Sequence, residues 1–243
     1  MAISKKSSNT TSFLKCQFHT HAIGDALDHI SHTPKELIDK AKKLNYNVLS
    51  ITSHRTVIFT KELESYAKKK GILLIPGIEF EINGKHILGI NIDKKIEKIK
   101  TFKELEKYKS THENCLIIAP HPFFPGKIAL KKDLTENIKS FDAIEYSFCY
   151  TSTKNYNKEA KAIAKKEKLP MIATADCHDL KNLDISYTLI KSQKNTNKII
   201  QTIKESSFTN KKIKLVTQPI SYFKIGKIIA KQEIKNLIKK LFK

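Results

Sequence analysis

Short apolar runs alternate with amphipathic segments along most of this chain. The apolar runs predict β-strands at residues 13–18, 47–51, 72–75, 115–119, 143–147 and 171–175. The segments between them carry apolar residues at every third or fourth position, which predicts helices at 33–44, 61–70, 101–110, 131–139 and 155–168. Regular alternation of strand and helix is typical of a parallel sheet covered by helices. We therefore expect an α/β fold that closes, or nearly closes, as a barrel.

Local signals support several of these boundaries. Thr33, Pro34 and Glu36 form the pattern of a capping box at the start of a helix. The pair Asn83-Gly84 lies between alternating apolar residues, which predicts a β-hairpin over residues 80–92.

Beyond residue 190 the pattern is less regular. We expect a packing helix at 195–206, a strand at 213–216 and an amphipathic helix at 221–243. An apolar stripe among lysines can bind a membrane surface, but such stripes more often pack on their own domain. The predicted organisation is a flexible tail at 1–12, a barrel at 13–220 and a C-terminal helix packed on it. No apolar run approaches the roughly 20 residues that span a bilayer.

Composition adds a strongly basic charge. The 243 residues carry a formal net charge of +21, and 45 are Lys or Arg, yet Arg55 is the single arginine. Lysine in such excess throughout the chain indicates a compositional drift more than a nucleic-acid surface, which would concentrate the charge on one face. The 4 cysteines form no CxxC pair, which indicates reduced thiols and a cytoplasmic protein.

Histidines and carboxylates cluster at the predicted strand ends. His19 and His21, two residues apart in extended backbone, project to the same side. The other members of the group are His54, Glu79, His86, His121, Asp176 and His178. Because barrel enzymes carry their chemistry at the carboxyl ends of the strands, these side chains should converge. Imidazoles with a few carboxylates are the ligands of hydrolytic Zn, Mn or Fe sites. His29, His32 and His112 lie outside this pattern, and we expect them to be exposed.

The order of these motifs resembles the PHP (polymerase and histidinol phosphatase) domain family from about residue 15 to 190. The matching motifs are Phe18-His19-Thr20-His21, Thr52-Ser53-His54, Gly77-Ile78-Glu79, His121-Pro122 and Ala175-Asp176-Cys177-His178. The resemblance implies a distorted seven-stranded β/α barrel that hydrolyses phosphate esters with two or three divalent ions, Zn, Mn or Fe, with Mg as an alternative. Adjacent cations can lower the pKa of a shared water to give hydroxide and can polarise the phosphoryl oxygens.

The resemblance also implies how the ligands are shared. One metal would be held by His19, His21, Glu79 and Asp176. Glu79 would bridge to a second metal held by His86 and His121. His54, His178 and an acidic residue of the first loop would hold a third.

Two positions depart from the family pattern. The first loop is one residue shorter than usual, so its carboxylate ligand is Asp25 or Asp28, and we favour Asp25. Ser53 replaces the usual Asp, and we expect it to orient an imidazole.

Glu79, Asp176 and Arg55 are the expected catalytic residues. Arg55 follows a candidate ligand directly, and its planar guanidinium can bind two phosphoryl oxygens at once. The predicted activity is hydrolysis of a small phosphorylated metabolite or nucleotide. The alternatives are a nuclease-like enzyme acting on RNA or DNA ends and a non-catalytic, RNA-binding scaffold of PHP type. Six histidines and two acids on one rim disfavour the scaffold.

Overall fold

The computed structural model describes residues 12–241, without the side chains of 238, 240 and 241. Apart from residue 12, the predicted tail lies outside the described residues. The strands are β1 Phe13–Gln17, β2 Val48–Ile51, β3 Leu73–Ile82, β4 Lys85–Ile90, β5 Leu116–Ala119, β6 Ala143–Ser147, β7 Met171–Thr174, β8 Ser186–Lys191 and β9 Ile213–Thr217. The helices are α1 Pro34–Lys43, α2 Lys61–Lys69, α3 Phe102–Thr111, α4 Lys132–Glu136, α5 Asn157–Lys166, α6 Thr196–Lys204 and α7 Tyr222–Leu241.

All described strands belong to one mixed sheet in the order β7-β6-β5-β4-β3-β2-β1-β8-β9. Strands β1, β2 and β3 run parallel, as do β5, β6 and β7, while β4 is antiparallel to both of its neighbours. The two ends of the sheet approach each other. Thr20 forms a parallel bridge with Cys177, and the Thr188 hydroxyl donates to the Ala173 carbonyl at 2.8 Å. The α/β barrel is therefore nearly closed, as the sequence predicted.

The sheet has nine strands, and the expected number of seven is wrong. Strand β8 was not predicted from the pattern of apolar residues, because two of its buried positions, Ser186 and Thr188, are polar. Strand β3 is also longer than predicted and continues through Pro76 into the hairpin, so Glu79 lies inside a strand. The hairpin turn itself is at Asn83 and Gly84, as expected.

Alternation along the strands divides the apolar side chains between two layers. In β5, Leu116 and Ile118 join the cluster formed by strand residues and α6, whereas Ile117 and Ala119 pack in the cluster that includes α3 and α5. Full burial of such a side chain contributes about 1.5–3 kcal/mol relative to exposure. The packing of these two layers fixes the positions of the strand ends, and the candidate site lies at these ends.

Gly77 marks the closest approach between β2 and β3. A Cβ at this position would lie 2.2 Å from Ser50 Oγ and 2.8 Å from Thr52 Cγ2. A larger residue would have to displace these two side chains, which explains the glycine immediately before the Ile78-Glu79 pair.

The helix caps follow the sequence signals. Thr33 and Glu36 form the predicted capping box of α1, and Thr101 and Glu104 form a second one at α3. Within residues 12–241, no helix combines the length and the apolar composition that crossing a bilayer requires.

Candidate metal centre

Glu79 lies at the middle of a group of imidazoles. Its Oε2 is 3.2 Å from His19 Nε2 and 3.0 Å from His54 Nε2. Its Oε1 is 2.8 Å from His86 Nδ1 and 3.2 Å from His121 Nε2. The carboxylate is 1% exposed. One buried carboxylate thus faces imidazoles from β4 and from three different loops, which the sheet alone brings together.

Asp176 and His178 complete the group from the loop after β7. Asp176 Oδ1 lies 3.2 Å from both His19 Nε2 and His21 Nε2. The ring of His178 stacks on that of His21 with centroids 4.0 Å apart. The backbone bridge between Thr20 and Cys177 holds the two loops in this position.

The two acids of the first loop take different positions. Asp25 is buried behind the histidines, where its carboxylate accepts hydrogen bonds from His21 Nδ1 at 2.9 Å and from His54 Nδ1 at 3.0 Å. It also accepts from the backbone amides of Leu27, Asp28 and His54. Asp28 lines the open side of the centre, where its Oδ2 lies 2.6 Å from His178 Nε2. Asp25 therefore orients two imidazoles, and Asp28 is the carboxylate that faces the cavity.

Glu145 is a buried member of the site that the sequence reasoning missed. Its Oε1 accepts a hydrogen bond from His19 Nδ1 at 2.8 Å, and Thr174 Oγ1 donates to the same oxygen. Its Oε2 accepts from the His121 amide at 2.6 Å. A carboxylate inside the apolar run of β6 was the available signal, because a fully buried glutamate needs a partner.

The backbone is strained at the loops that carry the site. His121, Asp176 and Arg55 have φ values of 29°, 42° and 59°. Residues other than glycine rarely occupy this left-handed region, and each costs on the order of 1–3 kcal/mol unless the surroundings hold it. Such strain concentrates at functional sites, and the three residues lie in the loops after β2, β5 and β7, which carry this centre.

The mutual charges shift the pKa values of the central groups. Burial alone raises the pKa of Glu79, but the nearby positive charge of His86 and His19 outweighs it and holds that pKa well below its usual range. Burial lowers the pKa of His54, but the Glu79 carboxylate outweighs it and raises that pKa to about 11. Without metal, these shifts favour the charged forms of both Glu79 and His54.

The donor set fits divalent metal ions. Three groups offer ligand atoms within 4.8 Å of one another: His19, His21, Glu79 and Asp176; His54, Glu79 and His86; and His21, His54 and His178. The first is the group that the family resemblance implied. His121 Nδ1 is buried without a hydrogen-bond partner among the described atoms. A buried cluster of six imidazoles with two carboxylates is otherwise costly to assemble, so we conclude that the centre binds divalent metal.

Other predicted residues lie further from the centre. Arg55 is 53% exposed, and its Nη2 donates to Glu81 Oε2 at 2.6 Å. Ser53 Oγ accepts from the Ala22 amide, so no imidazole is oriented by this contact. His32 was expected to be exposed but is buried, with Nε2 bonded to the His21 carbonyl at 2.8 Å. His29 and His112 are partly exposed.

A cavity of about 360 Å³ opens above the centre. Its floor includes His54, Glu79, His86, His121, Asp176 and His178. Leu27, Phe124, Ile128 and Phe148 line its sides, and α7 contributes Ile228, Ile229, Gln232, Glu233 and Asn236. A volume of this size lies in the range of small-molecule sites.

Solved structures of two proteins share this fold. A two-domain protein from Bacteroides vulgatus, described as containing a predicted PHP-like metal-dependent phosphoesterase, matches with a TM-score of 0.63 and 19% identity over 86% of this chain and 66% of its own. The lesion-specific endonuclease EndoQ from Pyrococcus furiosus matches with a TM-score of 0.61 and 15% identity over 84% of this chain and 58% of its own. The chain therefore shares the β/α barrel fold of these proteins.

Sequence comparison adds a partial relative. A 5'-3' exoribonuclease from Haemophilus influenzae is 34% identical over 95 residues, which cover 37% of this chain and 34% of that protein. The aligned segment thus spans about a third of the curated relative. No protein-family model matches the chain.

Proposed function

We propose that this protein is a metal-dependent phosphoesterase that hydrolyses a phosphomonoester or phosphodiester of a small metabolite or nucleotide. The observation that carries the proposal is the shared carboxylate of Glu79, which belongs to two of the three ligand groups. Adjacent metal ions, which a shared carboxylate can hold together, recur in enzymes that transfer phosphoryl groups to water. The PHP fold of the solved neighbours supports the same reaction class.

Some residues of the centre would hold metal ions, and others would orient the ligands. Bound divalent ions supply a nucleophile from water at neutral pH and polarise the phosphoryl oxygens. One ion would be held by His19, His21, Glu79 and Asp176. Glu79 would also help to hold a second ion. In hydrolysis, the water oxygen forms a new bond to phosphorus, the ester P–O bond breaks, and the departing oxygen takes a proton. Asp25 and Glu145 would keep the imidazoles in the required tautomer and orientation.

The first-loop ligand in this proposal is Asp28, because it faces the cavity beside His178 while Asp25 is already engaged by two imidazoles. Asp28, His54 and His178 would hold a third ion. We therefore propose two ions at Glu79 and a third at Asp28, with Zn, Mn or Fe favoured by the imidazole-rich ligands and Mg as the alternative.

A nuclease acting on RNA or DNA ends is the second candidate. It is favoured by the partial similarity to an exoribonuclease and by the similar fold of a DNA endonuclease. The excess of lysine is in line with it but is spread over the whole sequence. A non-catalytic scaffold is disfavoured, since it has no use for a buried ligand set. The 4 cysteines are unpaired, which supports the proposed cytoplasmic location.

The direct test is metal content and hydrolysis in wild type and Glu79→Gln. The purified protein is expected to hold two to three divalent ions, and the substitution should release the bridged pair and abolish hydrolysis, because the repulsion between the ions is no longer compensated. Substrates should include phosphomonoesters, cyclic and linear dinucleotides and short RNA, each with Mn, Zn and Mg. Glu64→Gln, which removes the same charge from an exposed position of α2, is the control. Full hydrolysis by protein free of metal would refute the proposal.

A further inference from the structure

Helix α7 forms part of the cavity and is attached to the barrel near both ends. Its first half packs Ile225 and Ile228 against the cluster of Phe148, Cys149 and Ile220. Its second half is hydrogen-bonded to the loop between β1 and α1. The helix therefore runs across the cavity as a fixed wall.

The contacts of the second half of α7 are specific. Asn236 Nδ2 donates to Asp28 Oδ1 at 2.7 Å, and Asn236 Oδ1 accepts from the His29 amide at 2.9 Å. Lys239 Nζ lies 3.0 Å from the carbonyl oxygens of both Asp25 and Asp28. The ammonium group of Lys239 is thus directed at backbone carbonyls of the loop.

The charge of the cavity lining differs from that of the whole chain. The chain has a net charge of +21, but the described residues that line the cavity include no lysine and no arginine. The acidic residues in the lining are Asp28, Glu79, Glu81, Asp176 and Glu233.

Four of these acids have positive partners, but Glu233 does not. Imidazoles lie within ion-pair distance of both Glu79 and Asp176. Asp28 pairs with a histidine, and Glu81 pairs with the single arginine of the chain. Glu233 makes no ion pair or hydrogen bond among the contacts that the described residues form. Its negative charge therefore acts directly on whatever enters the cavity.

We infer that α7 selects the substrate: it favours a phosphoester with an apolar or aromatic group beyond the reacting phosphate and rejects a second phosphate through Glu233. The apolar sides of the cavity suit such a group. A second phosphate at α7 would meet the Glu233 carboxylate and, among the described lining residues, neither lysine nor arginine. Repulsion between like charges near a protein surface amounts to about tenfold or more in affinity. This inference deepens the proposed function and rests on it.

The test compares a nucleoside 5'-monophosphate with the corresponding 3',5'-bisphosphate on the metal-loaded protein. Wild type is expected to prefer the monophosphate in kcat/KM by about tenfold. Glu233→Gln should bring this ratio close to one, and Glu233→Lys should favour the bisphosphate. Because the interaction is electrostatic and solvent-accessible, the wild-type preference should shrink as salt increases.

Glu136→Gln is the matched control, since it removes a glutamate that is 58% exposed on α4 and outside the cavity lining. Its ratio should equal that of wild type. A wild-type preference for the bisphosphate, or a ratio that Glu233→Gln and Glu233→Lys leave unchanged, would overturn the inference.

Calorimetric binding of both nucleotides, measured beside hydrolysis, separates this inference from the proposed function. Selective binding of the monophosphate without hydrolysis would refute the proposed activity and leave the selection by α7 intact. Hydrolysis with equal affinities for the two nucleotides would refute only the selection by α7.

Discussion

Glu145 connects parts of the metal centre that lie far apart in the sequence. It accepts hydrogen bonds from the ring of His19, from the amide of His121 and from Thr174. It is not among the residues that line the cavity. Its effect on the reaction must therefore pass through the two histidines that it orients.

Glu145→Gln should weaken metal binding by about 10–100-fold, which is the usual loss when a group behind a ligand is altered. The amide cannot accept from both the imidazole and the backbone as a carboxylate does, so the His19 ring loses its fixed tautomer. Metal affinity is measured by titration in a chelator buffer, and the far-UV spectrum checks that the fold is kept. An affinity equal to that of wild type would show that Glu145 serves packing alone.

At the scale of elements, the loop between β1 and α1 is the part of the barrel that the site depends on most. Asp25 closes this loop on itself by accepting from the amides of Leu27 and Asp28, and it ties the loop to the His54 amide. The pKa of Asp25 is held far below its usual range, because hydrogen bonds from His21 and His54 outweigh burial, which acts in the opposite direction. Asp28 extends from the same loop toward the cavity.

The two acids of this loop should give different results when each is changed to asparagine. Asp28→Asn is expected to remove one metal ion per chain and leave the pair at Glu79, because Asp28 belongs only to the ligand set proposed for the third ion, with His54 and His178. Asp25→Asn should lower the thermal midpoint and weaken all sites together, since a neutral amide leaves two imidazoles poorly supported. Elemental analysis and thermal unfolding distinguish them. The reverse pattern would identify Asp25 as the ligand, as the sequence favoured.

At the scale of the whole molecule, stability and metal binding are linked through the protons of the centre. The pKa of His54 is raised to about 11, chiefly by Glu79 against the effect of burial. The pKa of His19 is also raised, by Asp176 against burial. The raised pKa values of these histidines stabilise the metal-free fold. This stabilisation is complete below the ordinary histidine pKa and is lost as the pH rises through the pKa of the folded state. Metal binding requires the same rings without their protons.

The increase in thermal midpoint on saturation with metal should therefore grow between about pH 6 and pH 9. Scanning calorimetry with and without a chelator measures this difference at each pH. Comparing the two forms at the same pH cancels the change in general charge repulsion, which affects both. A difference that stays constant or shrinks toward pH 9 would contradict the linkage.

Much of the fold could be predicted from the sequence because local patterns and short-range signals agree. The capping box of α1 and the Asn83-Gly84 turn are decided by neighbouring residues, and both are present. Strand β8 could not be predicted in this way. Its buried threonine is accepted because the Thr188 hydroxyl donates to the Ala173 carbonyl across the barrel, whereas Ser186 Oγ is buried without a hydrogen-bond partner among the described atoms.

The metal ligands could be proposed from the sequence because each one follows a predicted strand or sits beside a turn, and the ends of neighbouring strands meet. The histidine motifs alone do not show which groups hydrogen-bond to the imidazoles or which residues line the cavity over them. The places of Asp25 and Asp28 depend on how one loop closes, and the role of Glu145 depends on two strands meeting in the sheet. The wall formed by α7 depends on a helix returning to a loop more than 200 residues earlier, with Asn236 bonded to Asp28. Local pattern thus determined the elements and the type of chemistry, whereas contacts between distant segments decided which groups bind, support or select.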